Sequence, residues 1–154
     1  MEPPSTRVSI VNQSSAKGLS SIVRKAIQTT LGAHDMSGTV SVLLCADLRD
    51  LNRQFRGLDE STDVLTFPAP PETGLLGDIA ISVDYASEQA KARGITVREE
   101  VGYLAMHGAL HLVGFDDESD ADRVDMQQEM TRLGEILGLP YQSEWASILH
   151  EVPS

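Results

Sequence analysis

The chain has 154 residues, which suits one domain with room for a hydrophobic core. Of these residues 41% are hydrophobic and 23% are charged, a balance that excludes an intrinsically disordered chain. The formal net charge of −11 argues against broad, non-specific binding of nucleic acid, which needs clustered positive charge.

Features that the sequence lacks exclude two further classes of protein. No stretch approaches the apolar length of a membrane span, and the N-terminus has neither a basic region nor an apolar signal core. We therefore expect a cytoplasmic protein that has no membrane partner. The single cysteine, Cys45, cannot form an internal disulfide, and its apolar neighbours predict a buried thiol.

The first half of the chain predicts strands and helices in alternation. Apolar and β-branched runs bounded by turn signals predict three strands. These strands cover residues 7–12, 39–45 and 64–67, and Pro68 closes the last of them. Apolar residues at helical spacing predict a helix that begins near Leu19 and ends at Gly32. A second helix is predicted between Asp47, which can cap it, and Gly57, which stops it.

The chain then predicts a loop, a strand and a third helix. Residues 69–77 are rich in proline and glycine and are typical of a loop. Residues 78–83 form an apolar run that predicts the fourth strand. Asp84 is placed to cap a helix that ends at Gly94.

Two consecutive helices complete the prediction. Thr96 and Glu99 form a capping box for the first of them, which Gly114 ends. Ser119 caps the second, whose apolar positions recur at helical spacing. These positions are Met126, Met130, Leu133 and Leu137. We therefore predict an α+β fold: a single compact domain over residues 1–154, with a small mixed four-stranded sheet packed against about five helices.

The segment from His107 to Asp117 carries the chemistry. His107 and His111 lie four residues apart on a predicted helix, so their imidazoles share one face at about 5–6 Å. That separation suits two imidazoles that bind one metal ion at about 2.0–2.1 Å. Gly114 can reverse the chain and return Asp116 or Asp117 toward the imidazoles. The segment therefore predicts a metal site of the extended zinc-hydrolase kind.

Four further residues bear on the chemistry. In the metalloprotease motif H-E-x-x-H a glutamate follows the first histidine, but this chain has Gly108 there. That difference weakens a peptidase interpretation and favours a reaction in which the metal activates water.

The remaining histidines, His34 and His150, are expected to be ordinary surface residues. Arg56 can grip a phosphate through two hydrogen bonds, and a surface salt bridge is the alternative.

Three blocks of the sequence resemble the YbeY family of bacterial rRNA-maturation endoribonucleases, within a match from about Val8 to Leu139. The blocks run from Leu51 to Arg56, from Thr62 to Pro68 and from His107 to Asp117. The last block matches ten of the eleven positions of the family pattern H-G-x-L-H-L-x-G-[YF]-D-H. The one departure is Asp117, where family members usually have a third histidine.

The resemblance implies a zinc-dependent, single-strand-specific endoribonuclease that acts in 16S rRNA 3′-end maturation and ribosome quality control. It implies His107, His111 and Asp117 as metal ligands and Arg56 as a catalytic residue near the phosphate. The implied partners are rRNA, ribosomal small-subunit proteins and an assembly GTPase, in the cytoplasm. Because Asp117 replaces a histidine, the identity of the metal stays open, and a divalent metal other than zinc, such as ferrous iron, is an alternative. A metallopeptidase or other metal hydrolase, and a non-catalytic ribosome-assembly factor, are the alternatives.

Overall fold

The computed structural model describes residues 6–140 and Trp145. Within this part of the chain the strands are β1 (Arg7–Asn12), β2 (Thr39–Cys45), β3 (Val64–Pro68) and β4 (Leu75–Ser82). The helices are α1 (Ser20–Ala33), α2 (Arg49–Arg56), α3 (Val83–Arg93), α4 (Val97–Val113) and α5 (Asp120–Leu137). These elements confirm the predicted α+β class with four strands and five helices. The predicted domain boundaries at residues 1 and 154 lie outside the described residues.

The strands form one mixed sheet in the order β1-β2-β4-β3. β1, β2 and β4 run parallel, whereas β3 pairs antiparallel with β4 at one edge. Because side chains alternate along a strand, each face of the sheet packs against different helices. The larger cluster, which includes Val42 and Ile79, joins the sheet to α1 and α4. The smaller cluster, which includes Leu65 and Ala80, joins the opposite face to α2 through Leu48 and Leu51.

Helix α4 lies at the centre of the fold and carries both histidines of the predicted site. Every residue from Glu100 to Leu110 is buried, so this helix is surrounded by protein. The predicted capping box is confirmed: the N–H of Glu99 donates to the Thr96 hydroxyl at 3.1 Å, and the N–H of Thr96 donates to the Glu99 carboxylate at 2.9 Å. The helix also ends as predicted, at Gly114 with φ of 117°.

Gly108 allows α4 to lie directly on the sheet. A Cβ atom at this position would lie 2.9 Å from Cγ2 of Ile79 on β4, closer than packed carbon atoms approach. A glutamate side chain therefore has no room where the general base of the protease motif would stand. This steric constraint weighs against the metallopeptidase alternative.

We expect Gly108→Ala to lower the free energy of unfolding by about 1–3 kcal/mol, because the added methyl group overpacks the contact with Ile79. Urea denaturation measures this change. The matched control is Gly32→Ala in α1, where a Cβ would have no neighbour within 4 Å. That control should be neutral or should stabilise by up to about 1 kcal/mol, because alanine favours helix. Equal stability of Gly108→Ala and the native chain would contradict the packing argument.

Two predicted helix boundaries were wrong. α1 continues through Gly32 to Ala33, because the reversal of the chain falls at Asp35, which has φ of 54°. The cap of α3 is Ser82 rather than Asp84. β4 runs directly into α3, so Ser82 is both the last residue of the strand and the cap of the helix. Its hydroxyl accepts the N–H of Tyr85 at 3.2 Å.

Other predictions at the ends of helices were closer. Asp47 accepts the N–H of Arg49 at 2.9 Å, although Leu48 occupies the N-cap position of α2. Gly57 ends that helix in the left-handed conformation, as predicted. The predicted cap of α5 is confirmed, since the N–H of Asp122 donates to the Ser119 hydroxyl at 3.0 Å.

The predicted loop over residues 69–77 was wrong at its C-terminal end. It contains a short 3-10 turn at Pro71–Thr73, and β4 already begins at Leu75 and ends at Ser82. The strand begins early because Gly77 pairs with Pro68 across the sheet. A Cβ at Gly77 would lie 2.5 Å from the Phe67 carbonyl oxygen, so the glycine read as a loop signal permits a close strand pair.

Two remaining expectations concern Cys45 and membranes. Cys45 is a buried free thiol at the end of β2, as predicted, and burial raises its pKa. Within residues 6–140 and at Trp145, no helix combines the length and apolar character needed to cross a membrane.

Candidate metal centre

The end of α4 and the turn after it bring three ligand atoms together. Nε2 of His107 lies 3.1 Å from Nε2 of His111. Oδ2 of Asp117 lies 3.3 Å from Nε2 of His111 and 3.7 Å from Nε2 of His107. Ligands bound about 2.0–2.1 Å from a tetrahedral ion lie about 3.3–3.4 Å from one another. The three residues therefore form a group that could hold one metal ion with little adjustment.

The chain reversal after α4 orients His111. Gly114 directs the backbone back over the last turn of the helix, and its N–H donates to the carbonyl oxygens of Leu110 and His111. The carbonyl oxygen of Phe115, the residue after Gly114, lies 3.1 Å from Nδ1 of His111. When Nδ1 carries the proton and donates it to this carbonyl, the lone pair is on Nε2, which faces His107 and Asp117. The turn at Gly114 thus orients His111 and brings Asp117 back to the imidazoles.

Asp117 is held by contacts to its backbone on both sides. Its N–H donates to Oδ1 of Asp116 at 2.7 Å. Arg123 of α5 donates to the carbonyl oxygen of Asp117 at 3.0 Å and to that of Glu118 at 3.3 Å. The turn at Gly114 could return either Asp116 or Asp117 to the imidazoles. In the structure the Asp116 carboxylate accepts the backbone N–H of Asp117, and the Asp117 carboxylate is the one that faces the imidazoles.

The ligand group is closed on its inner side and open on its outer side. His107 is only 2% exposed, whereas the side chains of His111 and Asp117 are 22% and 18% exposed. A cation held here would therefore rest on a buried imidazole and would be reachable from solvent. Catalytic metal sites need such an accessible side, whereas purely structural sites are closed by protein ligands.

Sequence reasoning missed the inner wall of this site. The indole of Trp145 lies 5.3 Å from the His107 ring between centroids, and its Nε1 donates to Oε1 of Glu100 at 2.9 Å. Glu100 stands seven residues before His107, two helical turns along the same face, and that spacing could have indicated it. No pattern in the sequence around Trp145 indicates that its indole lies against α4.

Glu100 is a carboxylic acid in a setting that disfavours its charge. It is fully buried, and its Oε2 has no hydrogen-bond partner among the described residues. Burial raises the pKa of Glu100 from 4.5 to about 7, although the Trp145 hydrogen bond and the charge of Arg93 oppose the shift. The charge of Asp63, which is also buried, adds to the rise in pKa.

We expect this acid to make the free energy of unfolding depend on pH. Because the folded-state pKa lies above 4.5, the folded chain binds the proton more tightly, so stability falls as pH rises from about 4.5 to 7. The loss should reach about 3 kcal/mol relative to Glu100→Gln, which cannot ionise. Urea denaturation in EDTA across that pH range measures the difference. The exposed Glu88→Gln should follow the native profile, and parallel curves for Glu100→Gln and the native chain would contradict the assignment.

The expectation that His34 is an ordinary surface residue was wrong. Its Nε2 contacts a carboxylate oxygen of Glu129, and its ring meets Phe115 edge-on at 5.3 Å between centroids. The end of α1 packs against α5 and the glycine turn, which a local reading of the sequence could not show. His150 lies outside the described residues.

Arg56 does not join the ligand group. It is the last residue of α2 and is exposed to solvent. Arg49 and Arg53 of the same helix pair with Asp59 and Asp50, at 2.9 and 3.2 Å. Among the described residues, no carboxylate lies within ion-pair distance of Arg56.

Two imidazoles from adjacent turns of a helix and a carboxylate from the following bend define the class of site found in zinc and ferrous-iron enzymes. The family model described as Endoribonuclease YbeY matches residues 5–138. The chain therefore belongs to the YbeY family of endoribonucleases, which confirms the resemblance read from its three sequence blocks.

Named relatives agree with this assignment. The chain is 36% identical over 143 residues to Endoribonuclease YbeY of Caldanaerobacter subterraneus subsp. tengcongensis, covering 80% of this chain and 90% of the relative. It is 46% identical over 110 residues to the Koribacter versatilis protein of that name, covering 70% of each. The fold is similar to the solution structure of TM1509 from Thermotoga maritima, with a TM-score of 0.64 and 28% identity, covering 85% of this chain and 89% of that one.

Proposed function

We propose that this protein is a metal-dependent, single-strand-specific endoribonuclease that acts in 16S rRNA 3′-end maturation and ribosome quality control. One observation carries the proposal: in a chain of the YbeY family, two Nε2 atoms and a carboxylate oxygen meet within 3.7 Å at the C-terminal end of α4, in a group whose His111 and Asp117 side is exposed to solvent. The reaction is hydrolysis of an RNA phosphodiester bond.

His107, His111 and Asp117 would hold the metal ion. When bound, a divalent cation there polarises a phosphate oxygen and makes water a better nucleophile near neutral pH. His107 would hold the ion from the buried side, and the hydrogen bond from His111 to the Phe115 carbonyl oxygen would keep the second imidazole in the binding tautomer. Asp117 would reduce the net positive charge of the filled site, and the partial exposure of His111 and Asp117 leaves the outer side of the group open to solvent.

Arg56 would bind the phosphate and stabilise the negative charge that develops on it. Its exposure and its lack of a carboxylate partner among the described residues leave the guanidinium available for this role. Phe55, the residue before Arg56, meets the ring of Phe67 on β3 at 5.2 Å, so this end of α2 lies against β3.

We propose zinc as the resident metal, at about one ion per chain, because two imidazoles and a carboxylate are an accepted catalytic zinc set. The same ligands suit ferrous iron, which is the competing assignment. Elemental analysis of protein purified without added metal distinguishes the two. We also propose that ribosomal small-subunit proteins or an assembly GTPase present the rRNA in the cytoplasm, because a net charge of −11 gives the chain little long-range attraction for RNA.

Cleavage assays on matched substrates test the proposal. Metal-loaded protein is incubated with a labelled single-stranded RNA, with the same RNA annealed to its complement, and with an unstructured peptide. We expect cleavage of the single strand alone, lost in EDTA and restored by zinc. Peptide cleavage without RNA cleavage would support the metallopeptidase, and an inert but metal-loaded protein that still restores rRNA processing in cells would support the non-catalytic assembly factor.

A further inference from the structure

The described residues contain one aromatic side chain that touches a ligand of the metal centre without being a ligand itself. Trp145, 3% exposed, packs on His107 at 5.3 Å between ring centroids, with the planes tilted by 56°. The separation is within the range of favourable aromatic contact. His107 is the ligand with the least exposure, so the indole forms part of the surface that fixes its ring.

Trp145 is itself held from three helices. Glu100 of α4 accepts its Nε1–H at 2.9 Å, and Tyr103 of the same helix stacks on it at 5.7 Å with an interplanar angle of 22°. The guanidinium of Arg93 of α3 lies 5.0 Å from the indole centroid, a cation–π distance. Gln127 of α5 donates to the Trp145 carbonyl oxygen at 3.4 Å. A side chain restrained by this many contacts has little freedom to move away from His107.

We propose that Trp145 is a positioning residue of the metal centre, whose anchored indole holds the His107 imidazole at the angle at which it shares a cation with His111 and Asp117. The inference rests on the proposed function, because it requires that these residues bind a metal. Trp145, which follows α5 in the chain, thereby takes part in preparing the site. An imidazole free to rotate would pay the cost of ordering each time it bound the ion.

The sequence offers a direct probe, because Trp145 is the only tryptophan in the chain. Its fluorescence therefore reports this position alone. Co²⁺ quenches indole fluorescence at short range, and bound Co²⁺ at the centre would lie next to the residue that packs on the indole. We expect stoichiometric Co²⁺ to quench most of the tryptophan fluorescence, and Asp117→Ala to require much higher Co²⁺ for the same quenching.

Three variants separate positioning from packing. Trp145→Leu removes the ring and should lower Co²⁺ affinity by about 10–100-fold, the effect typical of losing an outer partner of a metal ligand. Trp145→Phe keeps a ring against His107 and should retain affinity within about threefold. Leu139→Ala removes buried apolar contacts near Gly102 and Gly134 and should lower the melting temperature in EDTA while leaving Co²⁺ affinity unchanged.

Affinities are measured by competition with a chelator, beside melting curves in EDTA. Native affinity in Trp145→Leu, or equal losses in Trp145→Leu and Leu139→Ala, would overturn the positioning role and leave the proposed function standing. Co²⁺ binding to the native protein without quenching would overturn it as well. Failure of the native protein to bind Co²⁺, zinc or ferrous iron would instead remove the proposed function itself, and this inference with it.

Discussion

His111→Ala is expected to abolish RNA cleavage and to lower metal affinity by more than the 10–100-fold that follows loss of an outer-shell partner. The variant removes the Nε2 atom that lies between the other two ligand atoms, at 3.1 and 3.3 Å from them. Two ligands then remain, fewer than the three protein ligands of catalytic zinc sites. Chelator competition measures the affinity, and cleavage of a single-stranded RNA measures the activity.

Asp117 allows a sharper version of this experiment. Asp117→Ala should lose affinity as His111→Ala does, whereas Asp117→His should retain binding and cleavage, because imidazole is also a zinc ligand and is the usual family residue. Asp125→Ala, at an exposed position of α5, removes the same charge without removing a ligand and should behave as the native protein. Native metal affinity in Asp117→Ala would contradict the ligand assignment.

Arg56→Ala is expected to lower kcat for RNA cleavage by about 10²–10³-fold, the effect of removing one preorganised group that stabilises transition-state charge. Metal affinity should not change, because Arg56 is not part of the ligand group. Arg56→Lys should recover only part of the rate, since an ammonium carries the charge but cannot form the two parallel hydrogen bonds of a guanidinium. Steady-state kinetics on metal-loaded protein measure both variants.

The matched control for Arg56 lies one turn earlier on the same helix. Arg53→Ala removes an equal charge, but from a side chain that pairs with Asp50 at 3.2 Å and lies 4.0 Å from Asp59. A small effect of Arg53→Ala beside a large effect of Arg56→Ala supports a specific contact with phosphate. Equal, small losses in both variants would show that α2 contributes only general charge and that Arg56 has no catalytic role.

The sequence predicted those parts of the fold that depend on local signals. The capping box at Thr96 and Glu99 and the turn at Gly114 are short-range patterns, and both are confirmed. The early start of β4 could not be predicted, because Gly77 is a strand residue only through its pairing with β3. The prediction that His34 is an ordinary surface residue was wrong for the same reason, since its partners come from α5 and from the turn at Phe115.

The same distinction between local signals and long-range contacts applies to the metal centre. His107 and His111 were predicted from helical spacing, and Asp117 from a glycine turn and a family pattern. Arg123, which holds the backbone of Asp117, lies on α5 and has no spacing that links it to the site. Trp145 and Glu100 lie 45 residues apart in the sequence, and their contact exists only in the folded chain.

A crystal structure of the zinc-loaded protein, with anomalous scattering collected at the zinc edge, tests whether His107, His111 and Asp117 bind one metal ion together. We expect one anomalous peak per chain, about 2.0–2.2 Å from Nε2 of His107, Nε2 of His111 and a carboxylate oxygen of Asp117. A peak at other residues, or a peak held by the two imidazoles while Asp117 faces solvent, would contradict it.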